Sequence, residues 1–231
     1  MSRLNRRSVP SKLLTSLNPH GSVAEAYRLL RANLRFASVD KPLRSIAVTS
    51  ATENEGKTVT AVNLAITMSQ TGIKTLLIDA DLRKPAVHKM FMAQSRTGLT
   101  SVLAGMQRIE DAIQSTQVDS LWLLTAGEKP PNPTELLQSA HMEQLHRRLT
   151  ADFEYVIYDC PPVLPAVEAA DVGALTDGVL VVVRADASSK DAVRQAVEQL
   201  RHARARVLGS VLNAAHAGGY GYNYYAYSYG G

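Results

Sequence analysis

The sequence predicts an α/β fold, in which a doubly wound, mostly parallel sheet is flanked by helices. From residue 45 to residue 213, short runs rich in Val, Ile and Leu alternate with helical stretches. Uninterrupted apolar strands indicate burial on both faces, which is typical of a parallel sheet covered by helices. The strand–helix alternation supports the same fold class. Ligands of such folds bind at the carboxyl ends of the strands, so the residues that follow each strand are the candidates for function.

Composition narrows the class of protein further. The chain has 231 residues, of which 45% are hydrophobic and 20% charged, and this balance excludes a wholly disordered protein. It contains no run of 18 apolar residues, and its first residues lack the apolar segment of a signal peptide. The sequence therefore predicts neither a membrane span nor a secretory leader. Cys160 is the single cysteine, which excludes an intrachain disulfide and favours a reducing cytoplasm.

The net charge of +4 is unevenly distributed along the chain. Residues 1–44 carry nine Lys or Arg against two Asp or Glu, whereas residues 45–231 carry sixteen against nineteen. The excess of positive charge therefore lies near the N-terminus and not on a face of the whole fold. We expect residues 1–21 to form a basic, flexible leader. A solvated tail and a contact with anionic lipid, nucleic acid or an acidic partner are both consistent with it.

Periodicity places the individual elements. Ser22 is the predicted N-cap of a helix that runs to about Phe36, and Glu25, three residues later, would complete a capping box. Apolar residues recur in this helix at every third or fourth position, which gives it one buried face. The predicted strands are Ser45–Thr49, Thr75–Asp79, Leu121–Thr125, Tyr155–Asp159, Val179–Arg184 and Val207–Asn213, and the predicted helices between them include Thr58–Thr71, Pro133–Leu149 and Lys190–His202.

The first strand leads into a segment close to the phosphate-binding P-loop pattern, G-x-x-x-x-G-K-[ST]. Backbone N–H groups and the helix that follows would cradle phosphate oxygens, Lys57 would neutralise the β and γ phosphates, and the Thr58 hydroxyl would bind Mg²⁺. Ala51 stands where the first glycine is expected, and Asn54 can take the positive φ that the loop needs. A chance Gly-Lys-Thr turn is the alternative. The predicted nucleotide-binding residues of this P-loop NTPase-type fold are Thr52, Glu53, Asn54, Glu55, Gly56, Lys57, Thr58 and Val59.

Residues with acidic or amide side chains lie at or just after the ends of other predicted strands. Asp79 and Asp81 follow the second strand, where two carboxylates suit a hard cation or could accept a proton from an attacking hydroxyl. Asp159 ends the fourth strand, as expected for the second acidic element of an NTPase site. Asn213 ends the last strand, and its amide could contact the base of a nucleotide. Cys160 fits a small buried residue better than a nucleophile, because no His lies within ten residues.

The C-terminal residues 218–231 form a tyrosine-rich tail. Gly, Asn and Ser separate its tyrosines, and Leu, Ile and Val are absent, so we expect the tail to be disordered. Three interpretations stay open: a self-associating segment, a segment that stacks on nucleic acid, and a set of phosphate acceptors. The lack of Lys and Arg in the tail disfavours nucleic acid. The six candidate acceptors, out of nine tyrosines in the chain, are Tyr220, Tyr222, Tyr224, Tyr225, Tyr227 and Tyr229.

Taken in order, these motifs resemble the bacterial tyrosine kinases (BY-kinases) of capsular and exopolysaccharide biosynthesis, in their stand-alone form. The resemblance extends from about residue 22 to the end of the chain. The segments that carry it are Glu25-x-x-Arg28-x-x-Arg31, the P-loop-like segment, Asp79-x-Asp81-x-Arg83, residues 98–105, residues 126–137, Asp159-x-Pro-Pro and the tyrosine tail.

The resemblance implies an ATP- and Mg²⁺-dependent protein-tyrosine kinase. The catalytic set would be Lys57, Asp79, Asp81 and Arg83, with Asp79 as the base that accepts the tyrosine proton and Arg83 as an anchor for the tail or a phosphate. The enzyme would autophosphorylate the tails of neighbouring subunits in a ring. The implied Mg²⁺ ligands are Thr58, Asp81 and Asp159, and the implied ring contacts are Glu25, Arg28 and Arg31.

The resemblance also implies an organisation and a set of partners. Residues 22–217 would be the kinase domain, with residues 22–37 as its oligomerisation helix. The expected partners are a separate transmembrane activator of the chain-length type, a cognate tyrosine phosphatase and protein substrates such as sugar-nucleotide enzymes, whereas no nucleic acid is expected. The chain would be cytoplasmic and held at the inner face of the cell membrane by its activator, where it would regulate polysaccharide synthesis and export.

Two other functions fit parts of the sequence. A positioning ATPase similar to MinD and ParA would share the fold, but those proteins carry a signature lysine where this chain has Thr52, and they lack a tyrosine-rich tail. A catalytically weak scaffold is the other alternative, because Glu53 and Asn54 replace the Pro-Gly that is usual in the kinase loop.

Overall fold

A seven-stranded sheet forms the centre of the computed structural model, which describes residues 18–37 and 42–215. Its strands are β1 (Ser45–Ser50), β2 (Thr75–Asp79), β3 (Gln114–Ser115), β4 (Leu121–Leu124), β5 (Tyr155–Asp159), β6 (Gly178–Arg184) and β7 (Val207–Asn213). Across the sheet they lie in the order β3-β4-β2-β5-β1-β6-β7. Every neighbouring pair is parallel except β3 with β4. The predicted doubly wound, mostly parallel sheet is confirmed.

Helices cover both faces of this sheet. They are α1 (Ser22–Phe36), α2 (Lys57–Ser69), α3 (Val87–Phe91), α4 (Leu99–Leu103), α5 (Ile109–Ala112), α6 (Pro133–Leu137), α7 (Ala140–Asp152), α8 (Glu168–Leu175) and α9 (Lys190–His202). Successive residues of a strand point to opposite faces, so each strand contributes to two cores. Ile46 and Ile157 belong to the core that includes α2, whereas Ala47 and Tyr158 belong to the core on the other face.

The strand order brings the motifs to one edge of the sheet. The strands β2, β5 and β1 are adjacent, and each ends in one of the predicted functional segments. Asp79 of β2 and Asp159 of β5 are register partners, and Asp159 is also the register partner of Val48 in β1. The carboxyl ends of these central strands therefore form one site, as the fold class predicts.

Two local predictions were wrong. The N-cap of α1 is Gly21 and not Ser22, and the structure gives α1 no side-chain cap. The expected capping box does not form, because Ser22 is already helical and Glu25 pairs with Arg28 instead. The expected single helix Pro133–Leu149 is two helices, α6 and α7. The two helices are separated at Ser139, whose backbone is extended. The Ser139 hydroxyl caps α7 by accepting a hydrogen bond from Met142 N.

The short edge strand β3 was not predicted, because two residues are too few for a periodic pattern. Within the described residues, none of the helices has the length and apolar character needed to cross a membrane. The tail tyrosines and residues 1–17 of the leader lie outside the described residues, so the expectations for them are untested.

Candidate active site

The loop between β1 and α2 contains two residues in the left-handed backbone region. Asn54 has a φ of 63° and Gly56 a φ of 95°, so both are left-handed. Asn is one of the residues that tolerate this region, and the prediction for Asn54 is confirmed. Gly56 is the N-cap of α2, whose first residues are Lys57 and Thr58. The loop thus delivers its backbone N–H groups and the start of a helix to one point, which is a favourable place for an anion.

The two acidic residues of the loop have partners within the protein. Glu55 is buried, and its Oε1 accepts hydrogen bonds from the Thr52 backbone N (3.2 Å) and the Thr52 hydroxyl (2.6 Å). Glu53 is exposed and pairs with Lys84 at 2.7 Å. The hydrogen bonds of Glu55 therefore stabilise the loop conformation. The charge of Glu53 is balanced by Lys84, from the segment after β2.

Asn213 also braces the loop. Its Nδ2 donates a hydrogen bond of 2.9 Å to the Glu55 carbonyl oxygen. A Cβ at position 56 would lie 2.0 Å from this nitrogen, so the close contact requires glycine as much as the positive φ does. The sequence predicted a base contact for Asn213 and missed this structural contact. The base contact stays a prediction.

Lys57 lies at the centre of a buried cluster of carboxylates. Its Nζ is 2.7 Å from Asp81 Oδ2 and 3.8 Å from Asp159 Oδ1. Burial alone would lower the pKa of Lys57, but the charges of Asp159, Asp81 and Asp79 outweigh it and raise this pKa. Lys57 is therefore a fixed positive charge at the start of α2, with its side chain only 12% exposed.

Asp79 and Asp81 take different positions although they are two residues apart. Asp81 lines the cavity beside the P-loop, and its Oδ1 accepts a hydrogen bond from the Lys84 backbone N at 2.9 Å. Asp79 is fully buried, and its Oδ2 accepts hydrogen bonds from the backbone N atoms of Ala86 and Val87, both at 3.0 Å. Asp79 Oδ1 has no hydrogen-bond partner among the described residues. Burial and the nearby charge of Asp159 raise the pKa of Asp79 well above its ordinary value.

Asp159 is fully buried, and neither of its carboxylate oxygens has a hydrogen-bond partner among the described residues. Burial raises its pKa to about 6, although the charge of Lys57 opposes the shift. Three carboxylates thus share one ammonium group, and a buried carboxylate whose charge is not fully compensated is costly. The described residues contain no cluster of three or more acidic, His or Cys side chains that would hold a metal alone. This donor set suits a hard cation that also takes oxygen ligands from a phosphate.

A cavity of about 1110 Å³ opens in front of this cluster. One part of its wall is the P-loop with Lys57 and Thr58, and Asn213 adjoins it. Other parts come from the segment 129–135 and from Pro161, Pro162 and their neighbours. The size is sufficient for a nucleotide together with part of a second substrate.

Arg83 reaches another part of the same wall. Its Nε and Nη2 donate hydrogen bonds to Glu168 Oε1 at 3.0 and 2.8 Å, and the Thr134 hydroxyl donates to the same oxygen at 2.8 Å. Burial raises the pKa of Glu168, but hydrogen bonds from its own backbone, Arg83 and Thr134 hold this pKa below its ordinary value. The contact between Glu168 and Thr134 could not be predicted from the sequence, because neither residue belongs to a short motif with a recognisable chemistry.

Comparison with known proteins assigns the family. A family model described as an AAA domain matches residues 43–212. The tyrosine-protein kinase YwqD of Bacillus subtilis is 40% identical over 212 residues, which cover 91% of this chain and 90% of YwqD. The putative tyrosine-protein kinase CapB of Staphylococcus aureus is 32% identical over 208 residues, which cover 90% of this chain and 91% of CapB. The chain belongs to the bacterial tyrosine-protein kinases.

Solved structures agree with this assignment. The kinase domain of the Escherichia coli tyrosine kinase ETK matches with a TM-score of 0.86 and 33% identity, covering 96% of this chain and 89% of that domain. MinD of Pyrococcus horikoshii, in complex with Mg-ADP, matches with a TM-score of 0.64 and 23% identity, which is a likeness of fold alone. The expectation of a bacterial tyrosine kinase, in preference to a positioning ATPase, is confirmed.

In this tyrosine kinase the three motif residues of α1 have different surroundings. Glu25 and Arg28 form an ion pair on the helix surface, and Arg28 also donates to the Pro19 carbonyl oxygen. Arg31 instead donates from Nη1 to the Thr67 carbonyl oxygen of α2 at 2.6 Å. Arg31 therefore connects α1 to the P-loop helix, whereas Glu25 lies exposed on the surface of α1. A ring contact by any of the three stays a prediction.

Cys160 of this kinase is fully buried beside Asp159, and burial raises the pKa of its thiol well above the ordinary value. Such a thiol is not poised as a nucleophile, which agrees with the interpretation of Cys160 as a packing residue.

Proposed function

We propose that this chain transfers the γ-phosphoryl group of ATP to tyrosine hydroxyls, and that its own tail is the first acceptor. The observation that carries the proposal is the position of Lys57, which lies between Asp81 and Asp159 at the start of the P-loop helix and at the edge of the cavity. Family membership supports tyrosine as the acceptor. The proposed acceptor residues are Tyr220, Tyr222, Tyr224, Tyr225, Tyr227 and Tyr229.

Nucleotide binding follows from the loop. Its backbone N–H groups and the start of α2 would hold the phosphates, with Lys57 against the β and γ phosphates. Asp81, Asp159 and the Thr58 hydroxyl offer the oxygen ligands that Mg²⁺ prefers. When bound, Mg²⁺ would supply neutralisation of the charge on the transferred phosphoryl group. Asn213 would meet the base at the far end of the nucleotide, through the side of its amide that does not brace the loop.

Asp79 is the proposed proton acceptor. Two backbone N–H groups fix its Oδ2, and its buried Oδ1, which has no hydrogen-bond partner among the described residues, would accept the proton of a tyrosine hydroxyl that reaches it. A tyrosine hydroxyl has a pKa near 10, so a carboxylate helps only as charge develops on the oxygen in the transition state. The raised pKa of Asp79 brings it closer to that of the acceptor. Most of the rate would still come from positioning and charge neutralisation.

The proposed setting is an assembly beneath the membrane. Glu25, Arg28 and Arg31 would hold a ring of subunits, in which the tail of one subunit reaches the site of the next. A separate transmembrane activator would bind the chain at the inner face of the membrane. A cognate phosphatase would reverse the tail phosphorylation, and other substrates would be enzymes of sugar-nucleotide metabolism. The cycle would regulate capsular or exopolysaccharide synthesis and export.

The test is incubation of the full chain with γ-labelled ATP and Mg²⁺, followed by mapping of phosphotyrosine. Wild type should be labelled in residues 218–231, and Lys57→Met should abolish labelling while the circular dichroism spectrum stays the same. Lys190→Met is the matched control, because Lys190 is exposed at the start of α9, and it should label like wild type. Equal labelling of Lys57→Met and wild type would overturn the site. Absence of label in wild type when the activator segment is also present would favour a scaffold.

A further inference from the structure

Glu168 holds an unusual position for an acidic residue. It is the first residue of α8 and is only 1% exposed. Its Oε1 accepts three hydrogen bonds, two from Arg83 and one from the Thr134 hydroxyl. Its Oε2 is buried and has no hydrogen-bond partner among the described residues. A buried carboxylate with three donors on one oxygen is a strong local constraint on the groups that donate.

These contacts join three segments that are far apart in sequence. Arg83 follows β2, Thr134 lies in α6 after β4, and Glu168 begins the helix after β5. Arg83 and Thr134 both line the cavity, together with Ala166, two residues before Glu168. The contacts of Glu168 therefore fix the shape of one part of the cavity wall.

The strand order indicates which substrate this part of the wall faces. The P-loop follows β1, whereas Thr134 follows β4, and β2 and β5 lie between those two strands. Consecutive residues after β2 turn to different sides: Lys84 pairs with Glu53 of the P-loop, and Arg83 pairs with Glu168. In the strand order, Arg83 and Thr134 thus follow strands that lie on the side of β5 away from β1 and its P-loop.

The geometry leaves Arg83 able to bind a further group. A guanidinium has five N–H donors, and Glu168 engages Nε and Nη2. Nη1 of Arg83 has no acceptor among the hydrogen bonds of the described residues, and the side chain is 48% exposed. Because two of its nitrogens are fixed, the direction of the third is fixed as well.

We propose that Glu168 is a positioning residue for the acceptor side of the kinase site. With Thr134 it orients Arg83, so that Nη1 contacts oxygen atoms of the tyrosine-bearing segment while the P-loop holds the nucleotide. The proposal rests on the proposed kinase function and adds the residues that recognise the acceptor. If the Arg83–Glu168 ion pair were purely structural, its loss would lower the stability of the fold. The ratio of the KM for the acceptor to the KM for ATP would then stay unchanged.

The experiment uses the full chain with all six tail tyrosines changed to Phe as the enzyme and a peptide of residues 216–231 as the acceptor. The KM for the peptide is measured at saturating ATP, and the KM for ATP at saturating peptide, for Glu168→Gln, Thr134→Val and Thr134→Ser. Glu110→Gln is the matched control, because Glu110 also pairs with an arginine, Arg148, but does not line the cavity.

We expect Glu168→Gln to raise the KM for the peptide about tenfold and Thr134→Val to raise it about threefold, since each weakens the contacts that orient Arg83. Both should leave the KM for ATP within about twofold of the parent, and Thr134→Ser should restore the parent value because it keeps the hydroxyl. Glu110→Gln should behave like the parent for both substrates.

Other results would overturn the proposal. It is wrong if folded Glu168→Gln changes neither constant or raises both equally. If Glu168→Gln does not fold, the threonine pair decides, and equal peptide KM values for Thr134→Val and Thr134→Ser reject the proposal. If the parent does not phosphorylate the peptide and wild type does not phosphorylate its own tail, the kinase function itself fails. If the parent phosphorylates the peptide but the variants keep its KM values, only the proposed role of Glu168 is rejected.

Discussion

Asn213 Nδ2 donates a hydrogen bond of 2.9 Å to the carbonyl oxygen of Glu55, and this contact connects the last strand of the sheet to the P-loop. The loop between β1 and α2 is thereby held from the β7 side as well as by its own side chains. Asn213 is the last residue of β7 and lies 158 residues after Glu55 in the sequence. The conformation of the nucleotide site therefore depends on a residue that no local loop motif contains.

Removal of this contact should weaken nucleotide binding. Asn213→Ala deletes the donor and leaves the left-handed loop without its brace, so we expect ADP affinity to fall about fivefold, measured by calorimetry with Mg²⁺ present. The matched control is Asn33→Ala, on the exposed surface of α1, which should keep the wild-type affinity. Wild-type affinity in Asn213→Ala would show that the brace does not contribute to binding.

The ionisation of Asp159 should make stability depend on pH. Its pKa is about 6 in the folded chain, above the ordinary value of 3.8, because it is buried. The folded state therefore binds this proton more tightly than the unfolded state. The stabilisation is fully present below about pH 4 and is lost as pH rises through about 6.

Asp159→Asn removes the titrating carboxyl group, so the variant should not lose this stability as pH rises. Without nucleotide or Mg²⁺, the variant should gain about 2 kcal/mol in unfolding free energy relative to wild type between pH 4.5 and pH 8. Urea denaturation at several pH values measures the difference, and Asp119→Asn, at an exposed position, should show no such trend. A difference that stays constant or shrinks as pH rises would contradict the raised pKa of the buried Asp159 carboxylate.

Asp79 and Asp81 should fail in different ways when changed to Asn. Asp81 lines the cavity and contacts Lys57, so Asp81→Asn should raise the Mg²⁺ concentration required for half-maximal activity about tenfold. Asp79 is the proposed base, so Asp79→Asn should lower kcat about 100-fold. The KM for ATP should change little, because Asp79 is not among the residues that line the cavity. Phosphotyrosine formation across Mg²⁺ and ATP titrations measures both, and near-normal kcat in Asp79→Asn would remove it as the base.

The sequence predicts the parts of this molecule whose signals are local. Continuous apolar strands give the sheet, and Asn54 could be assigned a positive φ because few other residues tolerate it. The helix break at Ser139 was missed, because the apolar pattern continues across it while the serine caps the second helix. The joining of Arg83, Thr134 and Glu168 was also missed, since it depends on the three-dimensional arrangement of segments that follow different strands.

The residues of α1 should separate assembly from stability. Arg31→Ala loses the hydrogen bond to the Thr67 carbonyl oxygen, so we expect its unfolding free energy to fall by about 1–2 kcal/mol in urea denaturation. Glu25→Ala removes only an exposed ion pair, and its unfolding free energy should stay within about 0.5 kcal/mol of wild type. If Glu25 contacts another subunit, Glu25→Ala should nevertheless reduce assembly size in analytical ultracentrifugation. Unchanged assembly would exclude it from the ring contact.

Phosphorylation of the tail should act as an assembly switch. Each phosphate adds about −1.5 to −2 charges at pH 7, so six would add about −9 to −12 to a tail that has no Asp or Glu. The whole chain carries a formal net charge of only +4, so phosphorylation reverses its sign. In the proposed ring, repulsion between the tails of neighbouring subunits should then weaken the assembly, and loss of tail docking in the neighbour's site should add to the effect.

The test compares assembly size before and after ATP for wild type and for a variant with all six tail tyrosines changed to Phe, each with the activator segment present. Wild type should dissociate once it is phosphorylated, whereas the Phe variant should stay assembled, because it cannot gain charge. Added salt should weaken the dissociation, since the Debye length is about 8 Å at physiological ionic strength and shorter above it. If phosphorylated wild type stays in the same assembly as the Phe variant, the charge does not control the ring, and tail phosphorylation is only a product of the kinase reaction.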